Sequence, residues 1–146
     1  MDILKKVERY REEENRLKWE GTFEEYLKLI KDEPLIAQPA HSRVYNMIKD
    51  AGIEEVNGKR HYKFFSGQMF GLEDSLERLV EEYFHPAAKR LDVRKRILLL
   101  MGPVSGGKST LVTMLKRGLE AYSLTDRGAV YAIKGCPMHE DPLHLI

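Results

Sequence analysis

The sequence has only one cysteine, Cys136, among its 146 residues. An internal disulfide is therefore excluded, which fits a reducing compartment. Long apolar runs are also absent: no stretch approaches the ~18 apolar residues of a membrane span. The amino end, MDILKKVERYREEEN, has no apolar core of signal-peptide length. We therefore expect a cytoplasmic protein with no membrane partner.

Neither sign of charge is in excess, because 24 Lys and Arg side chains stand against 23 Asp and Glu side chains. Such a balance gives the chain as a whole no attraction to nucleic acid or to an anionic membrane. The basic stretch KRLDVRKR (89–96) has no interleaved aromatic residues that could stack on bases. We interpret it as a solvated helix end that leads into a strand, and we expect no nucleic-acid partner.

The amino-terminal part contains apolar residues at helical spacing among many charged ones. Thr22 and Glu25 have the spacing of a capping box, and Gly52 is placed to cap a helix at its carboxyl end. The pattern predicts three amphipathic helices, at residues 2–18, between Thr22 and Pro34, and at 42–51.

A β-hairpin is predicted after these helices. Asn57-Gly58 lies between IEEV and KRHYKFF, and this dipeptide is typical of a two-residue type I′ turn. We therefore predict that residues 1–63 form a mainly helical segment with one β-hairpin.

Residues 64–146 carry the pattern of an α/β domain. A helix is predicted from Leu72, and Pro86 should kink or end it near Phe84 and His85. Two short apolar runs suit strands buried on both faces, with a helical pattern between them. These strand candidates are Ile97 to Leu100 and Ala129 to Ile133.

Between the first strand candidate and the helical pattern lies the stretch MGPVSGGKST (101–110). Gly102, Gly107, Lys108 and Ser109 match the phosphate-binding motif G-x-x-x-x-G-K-[ST], in the strand and helix context that the motif requires. Glycines let the loop backbone approach phosphates, so that its N–H groups form an anion nest. The predicted loop residues are Gly102, Pro103, Val104, Ser105, Gly106 and Gly107.

The residues that follow the loop have separate predicted roles. Lys108 can reach the β and γ phosphates, and the positive end of the helix adds to the attraction. The hydroxyl of Ser109 is suited to coordinate Mg²⁺, and Thr110 assists the helix start. ATP and Mg²⁺ are the predicted cofactors. The alternative is a glycine turn that only connects a strand to a helix.

Two other patterns carry weaker chemical signals. VYAIK (130–134) is similar to the lysine-bearing strand of protein kinases, but H-R-D, D-F-G and a G-x-G-x-x-G loop are missing. Cys136, His139 and His144 are metal-ligand types, yet they supply at most three ligands and a structural zinc site needs four. We therefore expect an ordinary buried strand and a loop without structural zinc.

The sequence closely resembles the PrkA family, bacterial proteins described as serine protein kinases with an AAA+-type ATPase domain. The resemblance covers essentially the whole chain and implies an α/β P-loop NTPase of AAA+ type at residues 64–146. By similarity to AAA+ proteins, it also implies that Phe70, Gly71 and Leu72 help to enclose adenine. The stretches that carry the resemblance are 17–27, 40–52, 64–110 and 130–146.

The resemblance further implies that the domain is incomplete, since PrkA-like proteins are several hundred residues long. Walker B acids, sensors and an arginine finger would lie beyond Ile146, so no catalytic residue can be named. The implied parent is an ATP-dependent serine protein kinase with a protein substrate, and its homo-oligomerisation is left open. The alternatives are an AAA+ motor coupled to protein remodelling or proteolysis, and a nucleotide-responsive binding module. We expect the isolated chain to be inactive and poorly ordered after about Leu91.

Overall fold

The computed structural model describes residues 3–89, 98–103 and 105–146. The contacts divide the chain into two compact units. The terminal unit combines the residues up to Ala37 with Ser123–Ile146, and the central unit is Gln38–Tyr122. The predicted domain boundary between residues 63 and 64 lies within the central unit, where the hairpin and the segment after it share one core.

The terminal unit begins with helices α1 (Ile3–Leu17) and α2 (Phe23–Asp32). The predicted capping box forms at the start of α2. The Thr22 hydroxyl accepts from the Glu25 amide at 3.3 Å, and the Glu25 carboxylate accepts from the Thr22 amide at 2.7 Å. The Thr22 amide and the Thr22 hydroxyl both donate to the Glu25 carboxylate, and these bonds lower the pKa of that carboxyl because they favour its charged form. The predicted helix and its cap are therefore confirmed.

The second part of the terminal unit is mostly irregular. It ends in a 3₁₀ turn at Pro142–Leu145, and the Ile133 amide donates to the Glu140 carbonyl at 2.9 Å. The predicted buried strand at 129–133 is wrong, because these residues form no strand and Val130 is 62% exposed. A strand buried on both faces needs a neighbouring strand to satisfy its N–H and C=O groups, and none of the described residues supplies one here.

The central unit begins with helix α3 (Ala40–Asp50), followed by strands β1 (Ile53–Val56) and β2 (Lys59–Tyr62). The strands are antiparallel, with Val56 opposite Lys59. The two turn residues both have positive φ, 54° at Asn57 and 75° at Gly58, as a type I′ turn requires. The predicted hairpin is confirmed, and so is the third predicted helix.

A continuous helical stretch follows the hairpin, built from α4 (Glu73–Arg78), a π-helical segment (Leu79–Phe84) and α5 (His85–Ala88). Of the two predicted outcomes at Pro86, a kink or an end of the helix, the end is wrong, since helical backbone continues to Ala88. In the π segment the His85 amide donates to the Val80 carbonyl, five residues back. This wider turn immediately precedes Pro86, whose ring would otherwise clash with the preceding turn of a regular helix.

Side chains from β2 and the π segment hold the hairpin against the helix. One Glu81 carboxylate oxygen accepts from Arg60 at 2.6 Å and from the Tyr62 hydroxyl, and the other lies 3.4 Å from His85 Nδ1. Burial acts to raise the pKa of Glu81, but the hydrogen bonds from Tyr62 and Arg60 together outweigh it and lower the pKa. Burial also raises the pKa of Tyr62, and its bond to Glu81 acts in the same direction.

The last helix, α6 (Lys108–Ser123), completes the core of the central unit. Gly118 lies within this helix. A Cβ at that position would lie 2.5 Å from the Phe64 ring and 3.0 Å from Met47 Sδ, so glycine lets α6 pack closely. Ile48 and Val80 are fully buried at the centre. The buried core residues are Met47, Ile48, Tyr62, Phe65, Met69, Leu76, Val80, Phe84, Leu111 and Tyr122.

The first strand candidate does not form a strand where it can be seen. Ile97 lies outside the described residues, and residues 98–100 are irregular. Leu99 is 73% exposed, whereas Leu100 packs against the core. Within the described ranges the β1–β2 hairpin is the only sheet, so the parallel sheet expected of an α/β P-loop fold is not present there. No helix in these ranges is long and apolar enough to cross a membrane.

Candidate functional site

The predicted phosphate loop leads directly into α6, as the motif requires. Its described residues form a tight turn in which the Gly106 amide donates to the Pro103 carbonyl at 3.1 Å. Ser105 has a φ of 71°, a conformation that side chains other than glycine rarely adopt. Such backbone conformations concentrate at ligand-binding sites. Val104 lies outside the described residues.

Lys108 folds back over the loop that precedes it. Its ammonium donates to the Gly102 carbonyl at 2.8 Å and to the Pro103 carbonyl. These carbonyls are neutral acceptors, and phosphate oxygens form stronger, charge-assisted bonds with an ammonium. The Lys108 ammonium therefore lies over the loop, where phosphate oxygens can replace its carbonyl partners.

The start of α6 provides backbone donors beside this charge. The Leu111 amide donates to the Gly107 carbonyl at 2.8 Å, so the helical hydrogen bonds begin at the loop. The preceding amides, from Lys108 to Thr110, come too early in the helix to have an intrahelical acceptor. Ser109 and Thr110 are both exposed in this first turn. The donor set therefore fits an anion, and the Ser109 hydroxyl is accessible to a metal ion bound with that anion.

Gly107 packs against the segment predicted to enclose adenine. A Cβ at Gly107 would lie 3.2 Å from Met69 Cε and 3.7 Å from Leu72 Cδ1. Leu72 therefore lies beside the phosphate loop. Met69 was not predicted to lie here. In the sequence it is marked only as an apolar residue next to the predicted segment.

The other two predicted adenine residues are less enclosed. Phe70 is 77% exposed, and Gly71 turns the chain with its amide donating to the Glu73 carboxylate at 3.0 Å. Phe70 and Met69 line a cavity of about 140 Å³ against β2 and α4. Ligand pockets usually measure about 300–1,000 Å³, so this cavity alone does not accommodate a nucleotide. The assignment of adenine contacts stays a prediction.

The two weaker sequence signals occupy ordinary positions. Lys134 is exposed and forms an ion pair with Glu20 at 2.7 Å, and the residues before it form no strand. His144 Nδ1 lies 2.8 Å from Glu140 Oε1. In the part of the chain that the structure describes, no three His, Cys, Asp or Glu side chains are grouped to hold a metal ion. The expected lack of structural zinc stays a prediction.

Comparison with known proteins places this loop in a family. A family model described as the PrkA AAA domain matches residues 21–146, and therefore includes the whole candidate site. The chain belongs to the PrkA AAA family. The resemblance inferred from the sequence is confirmed, and the family supports an AAA+-like fold class, although the described residues do not show the P-loop sheet itself.

Three PrkA relatives show how far the similarity extends. The "ATP-dependent protease PrkA" of Bacillus subtilis is 81% identical over all 146 residues, which are 23% of its length. An "Uncharacterized protein in gldA 5'region" of Geobacillus stearothermophilus is 75% identical over 97 residues, 66% of this chain and 100% of that protein. The "Serine/threonine kinase YeaG" of Escherichia coli K12 is 47% identical over 49 residues, 34% of this chain and 8% of that protein. No solved structure matches the chain.

The chain thus spans less than a quarter of the PrkA protein that matches all of it. The names of two of these relatives give an activity, and the two activities differ: one protein is named a protease and the other a kinase. Which reaction this chain takes part in is therefore a separate question from its family.

Proposed function

We propose that the loop from Gly102 to Ser109 binds the phosphates of Mg-ATP, within an ATP-dependent enzyme that acts on proteins. The observation that carries this proposal is the position of Lys108 at the start of α6, with its ammonium over the Gly102 and Pro103 carbonyls. A positive charge, a helix amino terminus and a glycine-rich backbone meet at one point. This combination suits a polyphosphate better than any neutral ligand.

Each residue has a defined part in the proposed complex. Lys108 exchanges its carbonyl partners for β and γ phosphate oxygens, and the amides at the start of α6 donate to the same anion. Ser109 would hold Mg²⁺ through its hydroxyl, and the metal would neutralise charge on the phosphates. Phe70, Gly71 and Leu72 would contact adenine beside the loop.

The reaction that uses ATP has two candidates. The relative whose similarity covers the whole of this chain is named an ATP-dependent protease, which favours ATP hydrolysis coupled to proteolysis. The relative named a serine/threonine kinase matches 49 residues and favours phosphoryl transfer to a protein serine. Both reactions require the same phosphate site, so the loop alone does not distinguish them. Because this match extends over the whole chain, it gives the proteolytic candidate the broader support.

Titration calorimetry with Mg-ATP tests the phosphate site. Lys108→Ala should weaken ATP binding at least about tenfold, because a charge-assisted bond contributes about 1.5–3 kcal/mol. The same substitution should weaken adenosine binding less. Lys116→Ala, which removes an exposed lysine farther along α6, is the matched control and should bind ATP normally. Equal ATP affinities for wild type and Lys108→Ala would overturn the proposed site.

A full-length PrkA-family protein containing this segment is needed to identify the reaction. It would be incubated with γ-labelled ATP and a protein substrate, and both label transfer and peptide-bond cleavage would be measured. Label on protein serine identifies a kinase, whereas free phosphate with cleaved substrate identifies a protease-coupled motor. ATP binding without either product would contradict both and leave a nucleotide-responsive binding module.

A further inference from the structure

A cavity of about 1,030 Å³ lies within the terminal unit. Its wall includes three aromatic rings that meet around Tyr131. Trp19 stands edge-on to Tyr131 at 5.3 Å between ring centroids, and Tyr26 is tilted against it at 5.6 Å. We call this space the aromatic cavity. It shares no residue with the phosphate loop.

Acidic side chains outnumber basic ones around the aromatic cavity. Among the described residues that line it, four carry a carboxylate and one, Lys134, carries an ammonium. Glu20 is paired with Lys134, and both are exposed, so this ion pair lies at the rim. The carboxylates that line the cavity are Glu20, Glu25, Glu33 and Asp126.

Glu33 and Asp126 line the cavity apart from the rim pair and the capping box. Glu25 is already engaged with Thr22 at the start of α2. Asp126 acts on the Tyr131 ring: burial raises the pKa of Tyr131, and the charge of Asp126 raises it further. A carboxylate therefore lies within electrostatic range of the ring at the centre of the wall.

We propose that the aromatic cavity binds a cationic side chain, arginine or lysine, carried by an extended polypeptide. Aromatic rings such as those that line this cavity attract a cation through their π electrons, and the carboxylates add a charge of the correct sign. An anionic ligand would be repelled. A cavity of this volume exceeds one side chain and leaves room for flanking residues of the bound polypeptide.

This binding function goes beyond the proposed nucleotide site and does not depend on it. The cavity residues belong to the terminal unit, whereas Lys108 and the loop belong to the central unit. A protein that failed to bind ATP could still bind the polypeptide, and the reverse also holds. Lys108→Ala therefore serves as a control that separates the two proposals.

Trp19 allows a direct test, because it is the only tryptophan in the sequence and it lines the cavity. The peptide acetyl-Gly-Leu-Arg-Leu-Gly-amide would be titrated into the 146-residue chain while tryptophan fluorescence is recorded. The matched probe replaces arginine by citrulline, which has nearly the same shape but no charge. We expect saturable binding of the arginine peptide, at least about fivefold tighter than the citrulline peptide.

Substitutions of cavity residues test whether the cavity causes the preference for the arginine peptide. Asp126→Asn and Glu33→Gln should each reduce the ratio between the arginine and citrulline affinities, and Tyr131→Leu should abolish it. Glu55→Gln, an exposed carboxylate on β1 in the other unit, should leave the ratio unchanged, as should Lys108→Ala. Near-ultraviolet circular dichroism of each variant verifies the fold.

Several outcomes would overturn the proposal. Equal binding of the two peptides would show an apolar groove without preference for a cation. The absence of any fluorescence change with the folded chain, or an unchanged ratio in the folded Asp126→Asn and Glu33→Gln variants, would exclude the cavity as the site. Arginine-dependent binding that is lost in Glu55→Gln but kept in Tyr131→Leu would assign it to a different surface.

Discussion

Composition alone does not decide which segments of this chain form strands. This is seen by comparing the β1–β2 hairpin with the two apolar segments at 98–100 and 129–133. The hairpin is rich in Glu, Lys and Arg and is mostly exposed, yet its strands pair in register. The two segments consist largely of Leu, Ile, Val and Ala, yet they form no strand. Apolar composition is therefore less decisive here than the availability of a partner strand.

The difference follows from where each strand finds its hydrogen bonds. A two-residue turn delivers β2 to β1, so closing this loop costs little conformational entropy. A parallel strand needs neighbours from distant parts of the chain, and none of the described residues supplies them. Substitutions should therefore act differently at positions whose structure depends on residues close in sequence and at positions whose structure depends on distant residues.

Replacement of a core residue should have the largest effect on stability. Ile48→Ala removes a fully buried side chain from the centre of the central unit and should lower the free energy of unfolding by about 2–5 kcal/mol. Leu99→Ala, in the irregular apolar segment, is the control and should change it by less than about 0.5 kcal/mol. Urea unfolding of both variants measures the difference. A comparable loss for Leu99→Ala would show that this segment is packed in solution.

Two glycines with nearly the same φ differ in their surroundings. Comparing them separates the cost of the backbone conformation from the cost of tertiary contacts. Gly58 and Gly107 have φ values of 75° and 76°, so alanine at either position should cost about 1–2 kcal/mol. No atom lies within 4 Å of a Cβ at Gly58, whereas one at Gly107 would press on Met69 at 3.2 Å. Gly107→Ala should therefore destabilise slightly more, and it alone should weaken Mg-ATP binding in calorimetry. Equal ATP affinity of the two variants would argue against the loop as the phosphate site.

The capping box at the start of α2 depends only on residues that are close in sequence. Thr22→Ala removes the side chain that accepts from the Glu25 amide and should destabilise by about 1 kcal/mol. Thr113→Ala, at an exposed position inside α6, should change stability by no more than a few tenths of a kcal/mol. Thermal melts followed by circular dichroism measure both. No difference between the two would mean that α2 is held by tertiary packing alone.

The attachment of the hairpin to the helix should depend weakly on pH. The pKa of Glu81 lies below its ordinary value of 4.5 in the folded chain, so its stabilisation is complete above that pH. It is lost as the pH falls through the folded pKa, because protonation weakens the bonds to Arg60 and Tyr62. Glu81→Gln should remove this loss, about 0.5 kcal/mol for a partly exposed ion pair, from urea unfolding between pH 5 and 3. An acid response identical to that of Glu55→Gln would show that Glu81 is not its source.

The candidate site was predictable from sequence to the extent that its residues are contiguous. The glycine-rich loop and Lys108 at the start of α6 follow from one motif, because spacing along the chain fixes their proximity. The contact of Met69 with Gly107 joins residues far apart in the chain, and no local pattern marks it. The aromatic cavity was missed for the same reason, since Trp19 and Tyr131 come from opposite ends of the sequence.

The sequence by itself determined the features whose hydrogen bonds close within a few residues. These are the capping box at Thr22, the type I′ turn at Asn57-Gly58 and the family-specific loop before α6. Tertiary structure decided what depends on distant partners: the continuation of helix past Pro86 through a π turn, the close packing at Gly118, and the lack of strands at 98–100 and 129–133. The physical reason is that a short-range hydrogen bond is specified by spacing alone, whereas a distant contact depends on every element that brings its partners together.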